Sequence, residues 1–192
     1  MAICFSYLSA QKKQFLLLGA VPPLTKLANG HISTPGHAFV GFGIQSQLGE
    51  DSILYFQGNH PQEPLWKNVL QNIGNKGEVH GYLNHDDGFY AAAPNALMIK
   101  YRVSETEFQK AMAISQKWRE QKLFQVNKKD CVSYLAEISK DALGLKTIKR
   151  YPFVNLLPIT YLRKLIGKNS GLETKRYYYQ PPKEIQPFFI AF

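Results

Sequence analysis

Cys131 and His37 are the residues of this sequence best suited to making and breaking an acyl bond. Cys131 lies in DCVSYLAEI, where Asp130 is a good N-cap and Val132, Leu135, Ile138 and Ala142 recur at helical spacing. That spacing predicts a helix opened by the cysteine and ended by Gly144. Unpaired amides and the dipole at a helix start favour an anion, so a thiolate is stabilised there and the oxyanion of a tetrahedral intermediate can be held. Lys128 and Lys129 add positive potential just upstream. His37 follows the Pro35-Gly36 turn and opens the apolar run HAFVGFGI. An imidazole placed there can take the thiol proton and later activate water. A structural cysteine with a core or surface histidine would use the same residue types, and local context alone leaves both readings open.

The elements that must position this pair follow from pattern. QFLLLGAV reads as a buried strand over 14–20, HAFVGFGI as a strand over 37–44, SILYFQG over 52–58 and LMIKYRV over 97–103. Gly41 and Gly43 predict close approach of another backbone or side chain to the histidine strand, leaving room beside it for the cysteine helix and substrate. Pro22, Pro23, Gly30, Pro35 and Gly36 make 21–36 a loop, and the proline and glycine content of 59–96 makes it an irregular excursion, with room for a short helix over 65–72. Ser104-Glu105-Thr106-Glu107 is a capping box, and Phe108, Ala111, Met112, Ser115 and Trp118 continue it as a helix to about 121. A further helix over 156–166 has Pro158 in its first turn, and the aromatic C-terminal stretch is expected to dock on the domain.

GHAFVGFG, a second strand, an irregular stretch, a helix and then a cysteine opening a helix: this order resembles the circularly permuted papain-like cysteine hydrolases, the group of NlpC-like amidases and lecithin retinol acyltransferase-like enzymes. The likeness spans about 34–145. It implies an α+β fold, an antiparallel sheet packed against helices, with Cys131 as nucleophile and His37 as general base. It also implies a third group on the strand after the histidine strand, to orient the imidazole. Tyr55 and Gln57 share one face of SILYFQG, and His60 follows it. Gln57, whose amide oxygen can accept from an imidazole N–H, is the expected third member, with Tyr55 and His60 as alternatives. The backbone amide of Cys131 is the expected oxyanion donor. Gln125 is a further candidate, because it stands six residues before the cysteine, as the oxyanion glutamine does in unpermuted papain-like proteases. Asp130 occupies a place often held by Asn in these families, and an adjacent carboxylate opposes thiolate formation unless it is engaged as the cap.

No cofactor or metal is expected. His31, His60, His80 and His85 match no HExxH or comparable spacing, and neither a phosphate loop nor a dinucleotide fingerprint occurs. His80, His85, Asp86 and Asp87 read as a solvated loop. The 192 residues suit one domain: a core over 34–145, the strand 14–20, and an extension 146–192 packed on it. With 45% apolar and 13% aromatic residues the chain should fold. No apolar run approaches the ~18 residues of a membrane span, and a convincing signal peptide is lacking. Cys4 and Cys131 lie in no CxxC pair, which argues against a thiolate metal site.

The net charge of +9 suits an anionic partner such as a cell-wall polymer or a membrane surface, but the basic residues are dispersed and give no strong nucleic-acid signal. The expected function is therefore a cysteine hydrolase cleaving a peptide, isopeptide or peptidoglycan-type amide, either cytoplasmic or secreted as a bacterial effector. Two alternatives stand beside it. One is a non-catalytic binding module using the basic and aromatic segments Tyr161–Ile166 and Arg176–Tyr179. The other is a lipid acyltransferase or phospholipase with the same Cys–His pair.

Overall fold

Phe15 to Val21 form an unbroken buried run, and a strand buried on both faces belongs at the centre of a sheet. A computed structural model places it there and describes residues 13–62, 79–85, 87–150, 157–170 and 175–179. Strand β1 (Lys13–Val21) pairs antiparallel with β4 (His37–Gln45) on one side and with β7 (Leu97–Val103) on the other. Beyond β4 lie β5 (Asp51–Pro61), β6 (Val79–Asn84) and β8 (Leu123–Phe124), and beyond β7 lies β9 (Lys175–Arg176). The order is β8-β6-β5-β4-β1-β7-β9, with antiparallel pairing throughout. A separate hairpin of β2 (Thr25–Lys26) and β3 (Ile32–Ser33) sits within the loop that leads to His37.

Helices α2 (Glu105–Gln121), α3 (Cys131–Glu137) and α4 (Pro158–Lys168) cover one face of the sheet. Their apolar stripes meet Leu16, Leu18, Val40 and Phe42 in the larger core cluster. The short α1 (Gly88–Ala91) lies over the other face, where Phe15, Leu17, Phe39 and Phe56 form a second cluster. The arrangement is the α+β architecture expected, an antiparallel sheet against helices.

Local signals fall where the sequence puts them. The Ser104 hydroxyl accepts from the Glu107 amide, and the Glu107 carboxylate accepts from the Ser104 amide, closing the capping box. Val132, Leu135, Ile138 and Ala142 are all buried, although the helix widens into a π-turn over Ile138–Ala142. Gly144 follows at φ 64°, a left-handed conformation that suits glycine. Pro158 opens α4.

Three expectations need correcting. Met112 is exposed, its sulfur accepting from the Tyr55 hydroxyl instead of entering the core. The 59–96 excursion contains the end of β5, all of β6, and α1. Gly41 and Gly43 do permit close approach, but by the rings of Phe56 and Phe15 and not by the cysteine helix. The possible helix over 65–72, Cys4 and residues 180–192 lie outside the described residues. Among those described, no helix is long and apolar enough to cross a membrane.

Candidate functional site: a cysteine, two histidines and a buried aspartate

His37 occupies the first position of β4, opposite Val21 of β1, and is 5% exposed. Its Nε2–H donates to Asp87 Oδ2 at 2.8 Å. Asp87 lies just before α1 and is fully buried. Its other oxygen, Oδ1, accepts from His60 Nε2 at 2.8 Å and from Asn84 Nδ2 at 3.2 Å. The two imidazoles stand side by side, ring centres 4.2 Å apart, and the Tyr90 ring lies 4.3 Å from that of His37. Gly58 of β5 makes this possible: a Cβ there would overlap both His37 Nε2 and Asp87 Oδ2.

Cys131 is a free cysteine at the first position of α3, the residue as a whole only partly exposed. The loop before it is tied down from several directions. Asp130 caps the helix, accepting from the Ser133 amide at 2.8 Å, and also accepts from the Asn127 amide at 2.7 Å. Arg150 grips the same carboxylate with both terminal nitrogens, at 2.6 and 2.8 Å. Asn59 of β5 donates to the carbonyls of Leu123 and Lys129, fixing the loop to the sheet. The Ser133 amide goes to the cap and the Tyr134 amide to the Asp130 carbonyl. The amides of Cys131 and Val132 are thus left without an intrahelical partner.

His37, His60, Tyr90, Asp130 and Cys131 all line one cleft of about 400 Å³. Its remaining walls are largely apolar, with Ile32, Pro35, Phe124, Val126, Leu157 and Pro158 among them.

Burial governs the electrostatics. It pushes the Cys131 thiol up to about 12, and Asp130 adds to this; the Ala38 backbone and Arg150 pull the other way, and Asp87 pushes up. Burial also lowers His37, helped by the neighbouring His60 and opposed by Asp87. Burial alone would raise Asp87, but the two histidines outweigh it and hold the carboxyl down at about 2. The resting pair is therefore a neutral thiol and a neutral imidazole beside a carboxylate. The helix start was expected to depress the thiol, and here burial outweighs the dipole.

The third member expected on β5 is not where the structure puts it. Val40 pairs with Gln57 and Gly41 with Phe56, so Gln57 shares a face with Ala38 and Val40, opposite to His37. Gln57 is fully buried; its Nε2 donates to His85 Nδ1 at 2.7 Å and its Oε1 accepts from the Tyr134 hydroxyl at 3.1 Å. Tyr55 packs on Phe42 and bonds Met112. His60 does reach the site, but through Asp87. Asp87 itself, read from sequence as part of a solvated loop, is the group on His37. Gln125 stands between two cleft-lining residues, Phe124 and Val126, without lining the cleft, and its backbone bridges to Lys129.

His31 and His80 are exposed, and His85 belongs to the Gln57 bond. In the proposed binding segments, Tyr161, Leu162 and Leu165 are core, Tyr177 and Tyr179 pack on the second cluster, and Tyr178 is exposed. Against protein-family models, characterised proteins and solved structures, the chain gives no match.

Proposed function

We propose that the protein is a cysteine hydrolase of permuted papain-like architecture, cleaving an amide through an acyl-enzyme at Cys131. The observation that carries this is the meeting, in one cleft, of a helix-opening cysteine and a histidine whose Nε2–H is committed to a buried carboxylate. That bond fixes the tautomer and leaves Nδ1 as the nitrogen that can accept a proton.

The steps follow from these groups. The Cys131 sulfur attacks the substrate carbonyl as its proton passes to His37 Nδ1, and Asp87 stabilises the imidazolium so formed. The carbonyl oxygen becomes an oxyanion within reach of the free amides at the start of α3. His37 then gives its proton to the leaving amine as the C–N bond breaks, leaving a thioester. Water, losing a proton to the same nitrogen, releases the acid and regenerates the thiol. Asp130 opposes a negative sulfur, and Arg150 offsets only part of that opposition.

The apolar walls favour a substrate with an apolar group next to the scissile carbonyl. They also support the second reading, transfer or hydrolysis of a lipid acyl chain by the same pair. The test is labelling of the full chain with a thiol-directed acyl mimic, an amide carrying a vinyl sulfone. Cys131→Ala should abolish labelling, and His37→Ala should slow it at least about 100-fold. Labelling that survives both substitutions refutes the proposal.

A further inference from the structure

We propose that His37, His60 and Asp87 also form a binding site for a divalent transition metal of the Zn²⁺ class, and that its occupation silences Cys131. The first part stands alone; the second rests on the hydrolase reading. The three side chains each present one ligand atom, all within 4.8 Å of one another. Both imidazoles aim Nε2 at a single carboxylate, one at each oxygen. Two histidines and a carboxylate are an ordinary ligand set for zinc, with a fourth position left for water on the cleft side.

Ligand atoms at the ~2.0–2.2 Å of zinc bonds stand about 3.3 Å apart in a tetrahedron. The present 2.8 Å hydrogen bonds lie inside that spacing, so both rings must move outward from the carboxylate to admit the ion. Asn84 already holds Asp87 Oδ1 from outside the triad, an orienting contact of the kind metal carboxylates use. The buried Asp87 carboxylate carries two imidazoles and one amide on its oxygens, and a dication would match its charge.

Local spacing could not reveal the site, because its ligands come from the start of β4, the end of β5 and the loop before α1. The cost to thiol chemistry is a matter of one proton. To bind metal through Nε2, His37 must move its ring proton to Nδ1. Nδ1–H can no longer accept the thiol proton, so the nucleophile loses its base while the metal stays bound.

The test titrates the full chain with Zn²⁺ against a chromogenic chelator and follows Cys131 alkylation by iodoacetamide in parallel. The expected result is one equivalent bound, with affinity at least about tenfold lower in Asp87→Ala and His60→Gln. His60→Gln keeps a donor for Asp87 and should fold if the alanine variant does not. Cys131→Ser should bind as the parent does. One equivalent of Zn²⁺ should slow alkylation of the parent chain and leave the His60→Gln variant unaffected. Absence of binding, or binding unchanged by both ligand substitutions, overturns the site. Binding that leaves alkylation untouched overturns the silencing. Because chelator competition needs no thiol reactivity, loss of the hydrolase reading would not alter the zinc stoichiometry.

Discussion

Gly58→Ala is the most direct perturbation of the proposed base. Gly58 lies beneath the His37–Asp87 bond, and a methyl group there occupies the space of both Nε2 and Oδ2. β5 is held by β4 up to Gln57 and by β6 from Gly58 onward, which limits how far its backbone can withdraw, so the pair must part. A hydrogen bond to a charged group contributes about 1.5–3 kcal/mol. At about 1.4 kcal/mol per factor of ten, its loss should slow Cys131 labelling roughly 10- to 100-fold. The crowding itself should cost about 1–3 kcal/mol of stability, a drop in Tm of about 2–10 °C for a chain of this length. Stability loss alone is uninformative, so Gly41→Ala serves as the control. A Cβ at Gly41 meets the Phe56 ring at 2.7 Å and Leu17 at 3.1 Å, crowding the same sheet face without touching the pair. Vinyl sulfone labelling rates and thermal melts of both variants decide the matter. Equal labelling by the two at matched loss of Tm would falsify the role given to the His37–Asp87 bond.

Two further outcomes follow from the charges around the thiol. Asp130→Asn keeps a good helix cap and removes the carboxylate that pushes the thiol up, so alkylation at neutral pH should quicken; stability should fall by about 3 kcal/mol, because Arg150 is left unpaired. Slower alkylation in a folded Asp130→Asn protein would contradict this account. The second concerns pH. Burial raises Cys131 and lowers His37, both against an ion pair, with Asp87 and Arg150 the opposing charges nearby. In His37→Ala, where only free thiolate can react, iodoacetamide alkylation should therefore keep rising with pH between about 6 and 9, without the acid-side plateau of a thiolate whose pKa has fallen to about 4. A flat profile across that range, read by mass spectrometry of the Cys131 peptide, would show a preformed thiolate instead.

What could be read from the sequence was local. The capping box at Ser104, the N-cap at Asp130, Pro158 at a helix start and the apolar stripe from Val132 to Ala142 each rest on residues within a few turns of one another. The histidine strand and the cysteine helix were legible for the same reason. What escaped depends on pairing across the chain. Gln57 and Tyr55 were rightly placed on one face of a strand, but which face cannot be known without the register. Val40 opposite Gln57 sets that register and turns Gln57 away from His37. β6 escaped because its glycine and polar residues carry no alternating pattern, and with it went the turn that brings Asp87 home. Gly58, sitting between Gln57 and Asn59, was the available signal: a glycine inside a strand marks a close approach, and here what approaches is the His37–Asp87 pair.

The site's chemistry then turns on which nitrogen of His37 carries the proton. With Nε2–H on Asp87, Nδ1 is a base and the neutral Cys131 thiol has somewhere to send its proton at the moment of attack. With the proton on Nδ1, Nε2 would be the ligand that the proposed metal site needs beside His60 and Asp87. The thiol's raised pKa sharpens the difference, because a sulfur with so little thiolate at neutral pH depends on the base. A nucleophile with an independently stabilised thiolate would keep reacting when the histidine was taken by a metal. In the proposed mechanism burial would do two things at once: keep Cys131 quiet until a carbonyl is in place, and make the state of one imidazole the control over the whole site.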